Sequence, residues 1–256
     1  MWNHEKSNLR PKTNRKSSDN FIIIESAIIF FMPASKTDFL KSYLFPVHIE
    51  TVSSALNPVL EVQLYNGRYI LNSDHMNYSF GSLQVLFRKV FRRLRLNWSN
   101  IDKALILGFG TGSLVSIIRH YKPGCAITGV EMDDKVLELG QKYFNTSSLR
   151  NVTVHHARAE QYIENIHEKF GLIVIDAYID RDVPGELETL AFLTNVKKAL
   201  EPGGVVVFNK VVYSKSGRTQ LPVLKQLYEQ VFGNVEIKTV MITGKIFIAM
   251  CQQMND

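Results

Sequence analysis

The sequence predicts an α/β protein with a doubly wound, mostly parallel sheet of seven strands, preceded by a small β-hairpin region. Two observations predict the sheet. From residue 103 short apolar runs alternate with amphipathic segments of helical spacing, and each run is apolar along nearly its whole length. Strands that helices cover on both faces have this continuous apolar character. A third observation, an Asn-Gly pair between alternating apolar residues, predicts the hairpin upstream.

The first hundred residues contain a tail, a hairpin and a helix. Residues 1–31 join a polar, basic stretch to the apolar run "FIIIESAIIFF", which Glu25 interrupts and which is too short to span a bilayer. We expect a disordered or non-native extension that precedes a start at Met32, with a packed extension and a membrane anchor as the next alternatives. Residues 32–100 form the small N-terminal region, with a hairpin over 59–73 and a helix over 82–96.

Residues 101–256 supply the sheet and are the predicted nucleoside-binding domain. Strands are predicted at "KALILG", "AITGVE", "VTVHH", "LIVIDAY" and "VVVFNKVV". Helices are predicted between and after them, over 113–121, 133–144, 159–168, 186–200 and 220–231. The final segment, "VEIKTVMITGKIFIAMCQ", predicts two strands around a Thr-Gly turn. This closing hairpin implies one antiparallel strand inserted at the edge of the sheet.

Positive charge is concentrated in two places. The net charge of +6 divides into +3 for residues 1–20, +5 for residues 88–95 and −2 for the remainder. The basic helix over 88–95 is the feature that favours nucleic acid. We interpret it as a solvated helix face, because aromatic residues for base stacking are few. Cys125 and Cys251 are expected to be buried, reduced thiols, and the cysteine and histidine spacing predicts no metal site.

Three glycines follow the first strand of the sheet at every second position: Gly108, Gly110 and Gly112. In doubly wound sheets ligands bind beyond the carboxyl ends of the strands, where this turn lies. The spacing departs from the dinucleotide pattern G-x-G-x-x-G and lacks the Gly-Lys-Ser/Thr of a phosphate loop. It favours a close approach of the backbone to an uncharged nucleoside and an amino-acid tail instead of a pyrophosphate. The alternative is that the glycines serve only the tight turn.

A carboxylate ends the second strand of the sheet, at Glu131. A carboxylate at this position can accept hydrogen bonds from both ribose hydroxyls of a nucleotide. We assign Met132, the next residue, to the same site. The alternative is that Glu131 only caps the following helix, a role that Asp133 can fill without it.

The glycine turn, the strand-end Glu131 and the closing hairpin together resemble the class I S-adenosylmethionine-dependent methyltransferase fold, which is Rossmann-like. Residues 59–210 resemble more narrowly its spermidine synthase-like branch, through "LIVIDAYIDRDVPGELETLAF" and "LEPGGVVVFN". The resemblance implies a transferase of polyamine biosynthesis. It would use S-adenosylmethionine or decarboxylated S-adenosylmethionine as co-substrate, without a metal. It would move an aminopropyl or methyl group to a small, cationic amine acceptor.

The same resemblance implies a cytoplasmic protein that works without nucleic acid or a membrane, and it leaves a homodimer open. Several positions depart from the family pattern. Residues 71–73 read Leu-Asn-Ser instead of Leu-Asp-Gly, and residues 78–80 read Tyr-Ser-Phe instead of Tyr-His-Glu. Arg158-Ala159 stands where the family has Asp-Ala, whose Asp contacts adenine. Methyl transfer, an RNA-modifying methyltransferase and a non-catalytic nucleoside-binding protein therefore stay open as alternatives.

The loop after the fourth strand carries the predicted chemistry. An amine has an unperturbed pKa of about 10 and must lose a proton before it attacks a sulfonium carbon. Asp176, which also lies on the cofactor side, or Asp180 can take that proton. Tyr178 either forms a wall of the acceptor pocket or only packs. Three further acids in this segment would attract a cationic acceptor: Asp182, Glu186 and Glu188. For Glu186 and Glu188 the preferred interpretation is that they lie in the first turn of a helix, where acids are favourable.

Overall fold

The computed structural model describes residues 34–74, 82–94, 96–179, 182–211, 215–233, 235–239 and 244–250. Predictions made for residues 1–31 and 78–80, and for Arg95, Asp180 and Cys251, lie outside these ranges. Within them the chain forms an antiparallel sheet of three strands and a larger sheet of seven. Among the described residues, no helix combines the length and the hydrophobicity that a membrane crossing requires.

The strands of the large sheet are β4 (Lys103–Leu107), β5 (Ala126–Glu131), β6 (Val152–His156), β7 (Phe170–Ile175), β8 (Leu200–Val211), β9 (Val235–Thr239) and β10 (Gly244–Met250). Their order across the sheet is β6-β5-β4-β7-β8-β10-β9. Strands β4 to β8 are parallel, whereas β10 runs antiparallel to both β8 and β9. The predicted parallel α/β core is confirmed. Every residue of β7 is buried, in agreement with its continuous apolar sequence.

Seven helices accompany the sheets in the described ranges: α1 (Lys36–Lys41), α2 (Ser82–Leu94), α3 (Ser113–Tyr121), α4 (Asp134–Phe144), α5 (Ala159–Asn165), α6 (Leu190–Lys198) and α7 (Lys215–Phe232). Helices α2 and α3 pack on one face of the large sheet, and α5, α6 and α7 pack on the other. Successive strand residues point to opposite faces, so Leu105 and Leu107 join one core while Ala104 and Ile106 join the other.

The small sheet confirms the predicted hairpin. β2 (Leu60–Tyr65) and β3 (Arg68–Ser73) pair around Asn66 and Gly67, whose φ values of 50° and 69° are those of a tight hairpin turn. The additional strand β1 (Val47–Val52) pairs antiparallel with β2 and was not predicted. Apolar residues of β2 and β3 pack against Val136 and Leu139 of α4, which attaches the small sheet beside the large one.

Several boundaries differ from the prediction, most clearly around α6 and at the start of β8. Residues 186–200 do not form one helix, because Gly185–Glu188 is a 3₁₀ turn and the side chain of Thr189 caps α6 by accepting from Phe192 N at 3.2 Å. The predicted break at Pro202-Gly203-Gly204 lies inside β8. An irregularity in the β7–β8 pairing between Phe170 and Leu172 accommodates the extra residues there.

The basic helix α2 buries one face and exposes the other. Phe87, Val90 and Phe91 are buried against the sheet. The cations Arg88, Lys89, Arg92 and Arg93 are exposed on the opposite face. Cys125 is fully buried, which raises the pKa of its thiol to about 11.

Candidate functional site

A pocket lies at the carboxyl ends of the parallel strands, where the turns after β4, β5, β6 and β7 meet the end of β8. Its empty volume, mouth included, is about 820 Å³. Of the residues predicted for the site, these line it: Gly108, Gly110, Glu131, Met132, Ala159, Asp176 and Tyr178. Gly112 and Arg158 do not line it.

The glycine turn brings β4 close to both neighbouring strands. Gly108 has φ +89°, and an added Cβ would lie 2.7 Å from Ala177 Cα, against the backbone of the turn after β7. The amides of Gly108 and Phe109 both donate to Val130 O at 2.9 Å. Gly112, with φ +79°, caps α3 instead of facing the pocket. Two of the three glycines therefore line the pocket, while the third serves the turn alone.

Glu131 holds the glycine turn to the end of β5. Its Oε2 accepts from Gly110 N at 2.9 Å, and its Oε1 accepts from Met132 N at 2.9 Å and Asp133 N at 3.1 Å. Burial raises the pKa of this carboxyl against the lowering effect of those three donors. A carboxylate has about four acceptor positions, so three are already used. Glu131 lines the pocket with room for about one further donor.

Asp133 confirms the helix-capping role considered for it. Its Oδ1 accepts from Lys135 N at 2.9 Å and from Val136 N at 3.3 Å, at the start of α4. Its Oδ2 accepts from Ser54 Oγ at 2.6 Å and Asn57 Nδ2 at 2.7 Å. This buried carboxyl therefore also fastens the segment before β2 next to the pocket.

Asp176 follows β7 and faces the pocket. Its backbone N donates to Leu107 O at 2.8 Å, and its Oδ1 accepts from Asn209 Nδ2 at 2.8 Å. Burial raises the pKa of Asp176 to about 7, with a further rise from Glu131, although the Asn209 hydrogen bond lowers it. The carboxyl therefore changes its protonation state near neutral pH, as a proton acceptor in this range requires.

Tyr178 is held by its hydroxyl, which donates to Asn209 O at 2.6 Å and accepts from Val211 N at 3.1 Å. Those bonds fasten the turn after β7 to β8. They hold Tyr178 in place as part of the pocket wall. Beside it, Lys210 pairs with Glu188 at 2.5 Å. Glu188 thus serves the 3₁₀ turn by an ion pair with β8.

Arg158 pairs with two acids and does not line the pocket. Its Nε donates to Glu160 Oε1, and its Nη2 lies 3.6 Å from Glu186 Oε1. Ala159 and Glu160, the first two residues of α5, line the pocket, whereas Arg158 does not. In the part of the chain that the structure describes, no group of three or more His, Cys, Asp or Glu could hold a metal ion.

A comparison with protein families assigns the chain. The family model of the spermine/spermidine synthase domain matches residues 94–255, more than half of the sequence. The chain belongs to the spermine/spermidine synthase family. The resemblance inferred from the glycine turn and the 172–209 segment is therefore confirmed.

Relatives within the family carry aminopropyltransferase names. A probable polyamine aminopropyl transferase of Bifidobacterium longum is 36% identical over 135 residues, which are 53% of this chain and 30% of that protein. A polyamine aminopropyltransferase of Vibrio vulnificus is 32% identical over 117 residues, 44% of this chain and 39% of that protein. The matched part is thus well under half the length of either relative.

A solved structure shows the same fold. The crystal structure of a spermidine synthase in complex with a transition-state analogue has a TM-score of 0.66 to this chain at 16% identity. The likeness covers 80% of this chain and 73% of that one. It shows that the family's Rossmann-like α/β architecture is shared.

Asn209 and Glu160 are two of the lining residues of this family member that its sequence did not lead us to predict. Asn209 is 2% exposed and donates to Asp176 from the neighbouring strand. Its signal was an amide at the end of the buried run "VVVFN". Glu160 follows the Arg158-Ala159 pair. It could have been found as an acid two residues after Arg158, which replaces the acid of the family pattern.

Proposed function

We propose that this member of the spermine/spermidine synthase family transfers an aminopropyl group from decarboxylated S-adenosylmethionine to the amine of a polyamine acceptor. The observation that carries the proposal is Asp176, a carboxyl with a pKa of about 7 that faces a pocket at the strand ends. The names of the relatives support the group transferred, and the acidic pocket supports a cationic acceptor.

The donor would lie along the strand ends, from β7 to β6. Gly108 and Gly110 let backbone approach it, and Glu131 would accept from its ribose. Ala159 and Met132 would line the base, and Asp176 would face the reacting end. In this arrangement the ribose, the base and the reacting end of the donor each have a partner among the predicted residues that line the pocket.

The charge of the pocket favours the decarboxylated donor. Its described lining residues include Glu131, Glu160 and Asp176 but neither lysine nor arginine. The nearby Arg158 is engaged by two acids. A donor with a carboxylate tail would find no cation among these described lining residues, whereas a tail that ends in an ammonium would be attracted.

Proton transfer from the acceptor amine to Asp176 becomes less unfavourable because of the raised pKa. An ordinary aspartate, with a pKa near 3.8, is a far weaker base than an amine with a pKa of about 10. Raising the carboxyl pKa to about 7 lowers the free energy of that transfer by roughly 4 kcal/mol. The neutral amine can then attack the methylene carbon beside the positive sulfur, and methylthioadenosine leaves with the sulfonium electron pair.

Calorimetry combined with product analysis tests the proposal. We expect the protein to bind decarboxylated S-adenosylmethionine at least about tenfold more tightly than S-adenosylmethionine, since no described lining residue offers a cation to the carboxylate. Incubation with a diamine should release methylthioadenosine. Binding without turnover against any polyamine would favour the non-catalytic alternative. A methylated product formed from S-adenosylmethionine would refute aminopropyl transfer.

We also propose an organisation, a location and an assembly for the protein. The chain is divided into an extension (1–31), a small N-terminal region (32–100) and the nucleoside-binding domain (101–256). Its location is cytoplasmic. A homodimer is the assembly to test first, by light scattering of the purified chain.

The hydrogen bond from Asn209 should determine where the activity begins to rise with pH. Asp176 must be ionised to accept a proton, so kcat/KM should increase through about pH 7. Asn209→Leu removes the donor that lowers the pKa of Asp176 and should move this rise to higher pH. The measurement is kcat/KM from pH 5.5 to 9.5. Tyr178→Phe leaves the Asp176 hydrogen bond intact and should not move the rise.

A further inference from the structure

The end of the pocket beyond Glu131 is mostly apolar. It is formed where β5 and β6 end, and its lining includes Met132, Ala157 and Ala159. The carboxylate in this part of the lining is Glu160, whose side chain is 23% exposed. A carboxylate accepts hydrogen bonds and cannot donate them when it is ionised. Glu160 therefore selects for a ligand group that donates.

Arg158 fixes the orientation of that carboxylate. Its Nε donates to Oε1 of Glu160, and its Nη2 lies 3.6 Å from Glu186. Among the described residues, no donor is bonded to Oε2 of Glu160. One carboxylate oxygen is thus held, and the other remains to accept from a pocket ligand.

We propose that Glu160 recognises the exocyclic amine of an adenine base and that Arg158 is its positioning residue. The inference rests on the proposed function, which places a nucleoside along the strand ends. With the ribose at Glu131 on β5 and the reacting end at Asp176 on β7, the base falls at the end of β6. The acid assigned to the adenine base in this chain is thus Glu160, two residues after Arg158, which occupies the position of the acid in the family pattern.

The chemistry predicts discrimination between two bases of almost equal shape. Adenine presents an amino group at its six position, which donates to a carboxylate. Hypoxanthine presents an oxygen there, which would face Glu160 without a proton between them. A hydrogen bond to a charged group has a net value that corresponds to about 10- to 100-fold in affinity.

The experiment measures the binding of 5′-methylthioadenosine and 5′-methylthioinosine to the full chain by calorimetry. We expect the wild type to favour the adenosine by about 10- to 100-fold. Glu160→Gln should bring this preference within about threefold, because the amide nitrogen can donate to the inosine oxygen. Glu160→Ala should also weaken the preference. Glu164→Gln, the same change at an exposed site of α5, should leave it unchanged.

A double-mutant cycle tests the part assigned to Arg158. Introduced into the wild type, Arg158→Met should weaken the binding of methylthioadenosine. Introduced into Glu160→Gln, it should have little further effect, because Arg158 acts by orienting the Glu160 carboxylate, which that variant lacks. An effect of equal size in both backgrounds would overturn the positioning role. Circular dichroism at the assay temperature confirms that each variant is folded.

The outcomes separate the inference from the proposed function. If the wild type binds neither nucleoside, the proposed function and the inference fail together. If it binds methylthioadenosine but Glu160→Gln and Glu160→Ala keep the full preference, the inference fails and the proposed function stands. If Glu164→Gln narrows the preference for the adenosine as much as Glu160→Gln does, the cause is the general loss of negative charge. That result would also overturn the inference.

Discussion

Replacing Asp176 by asparagine should lower the transfer rate by about 10²–10⁴-fold, the range for removal of a general base. The amide keeps the shape of the side chain and an oxygen for Asn209, but it takes up no proton. Affinity for methylthioadenosine should change much less, since Glu131 lies at the end of β5, on the other side of β4 from β7. Single-turnover rates and calorimetry on the same preparation measure the two effects separately.

Raising the pH should partly restore the rate of Asp176→Asn, because a larger fraction of the acceptor amine is then neutral without a base. Asp182→Asn is the matched control, since it makes the same change at an exposed residue of the same loop that does not line the pocket. An unimpaired Asp176→Asn enzyme would show that the proton is taken elsewhere. Equal losses in both variants would point to long-range charge.

The same substitution should stabilise the free protein. The folded pKa of Asp176, about 7, exceeds the value near 3.8 expected when the chain is unfolded. Above pH 7 the buried, ionised carboxyl therefore lowers the free energy of unfolding. This destabilisation disappears below about pH 4, where Asp176 is protonated in both the folded and the unfolded chain. Asparagine should therefore add as much as about 4 kcal/mol to the free energy of unfolding at pH 8 and almost nothing at pH 4. Urea unfolding at both pH values checks this.

The residues that the sequence brought into one site share a topological cause. The glycine turn, Glu131 and Asp176 each lie at the carboxyl end of a strand of the parallel sheet, and these ends meet at one edge. Their convergence follows from the strand pattern alone. Asn209 could not be placed this way, because its contact with Asp176 depends on β8 lying beside β7 and on which face of β8 the amide occupies.

Other features depended on contacts that have no sequence signal. The direction of Arg158 is determined by its pairing with Glu160 and Glu186, so its absence from the pocket lining could not be read from its alignment with the family acid. Strand β1 pairs with β2 across a connection that has no tight-turn signature, and the pairing register shifts between His48 and Glu50. Gly112 fits the glycine pattern in the sequence, but its positive φ is required by the turn and not by the pocket.

Replacing Glu131 by alanine should weaken nucleoside binding by about 1.5–3 kcal/mol, the range for hydrogen bonds to a charged group. The structure adds a second cause of loss. The amides of Gly110, Met132 and Asp133 would lose their acceptor, and the glycine turn would lose its bond to β5. Calorimetry with methylthioadenosine measures the total, and unchanged affinity in a folded variant would remove Glu131 from the site.

Deoxynucleosides separate the ribose contact from support of the turn. Three backbone donors leave Glu131 about one acceptor position, so we expect it to bind one ribose hydroxyl and not both. One of the 2′-deoxy and 3′-deoxy forms of methylthioadenosine should therefore bind wild type less tightly, and that loss should disappear in Glu131→Ala. A loss that persists in the variant would mean that the hydroxyl is bound elsewhere and that Glu131 acts only by holding Gly110 in place. Glu138→Ala, an exposed residue on α4, is the control for a general effect of charge.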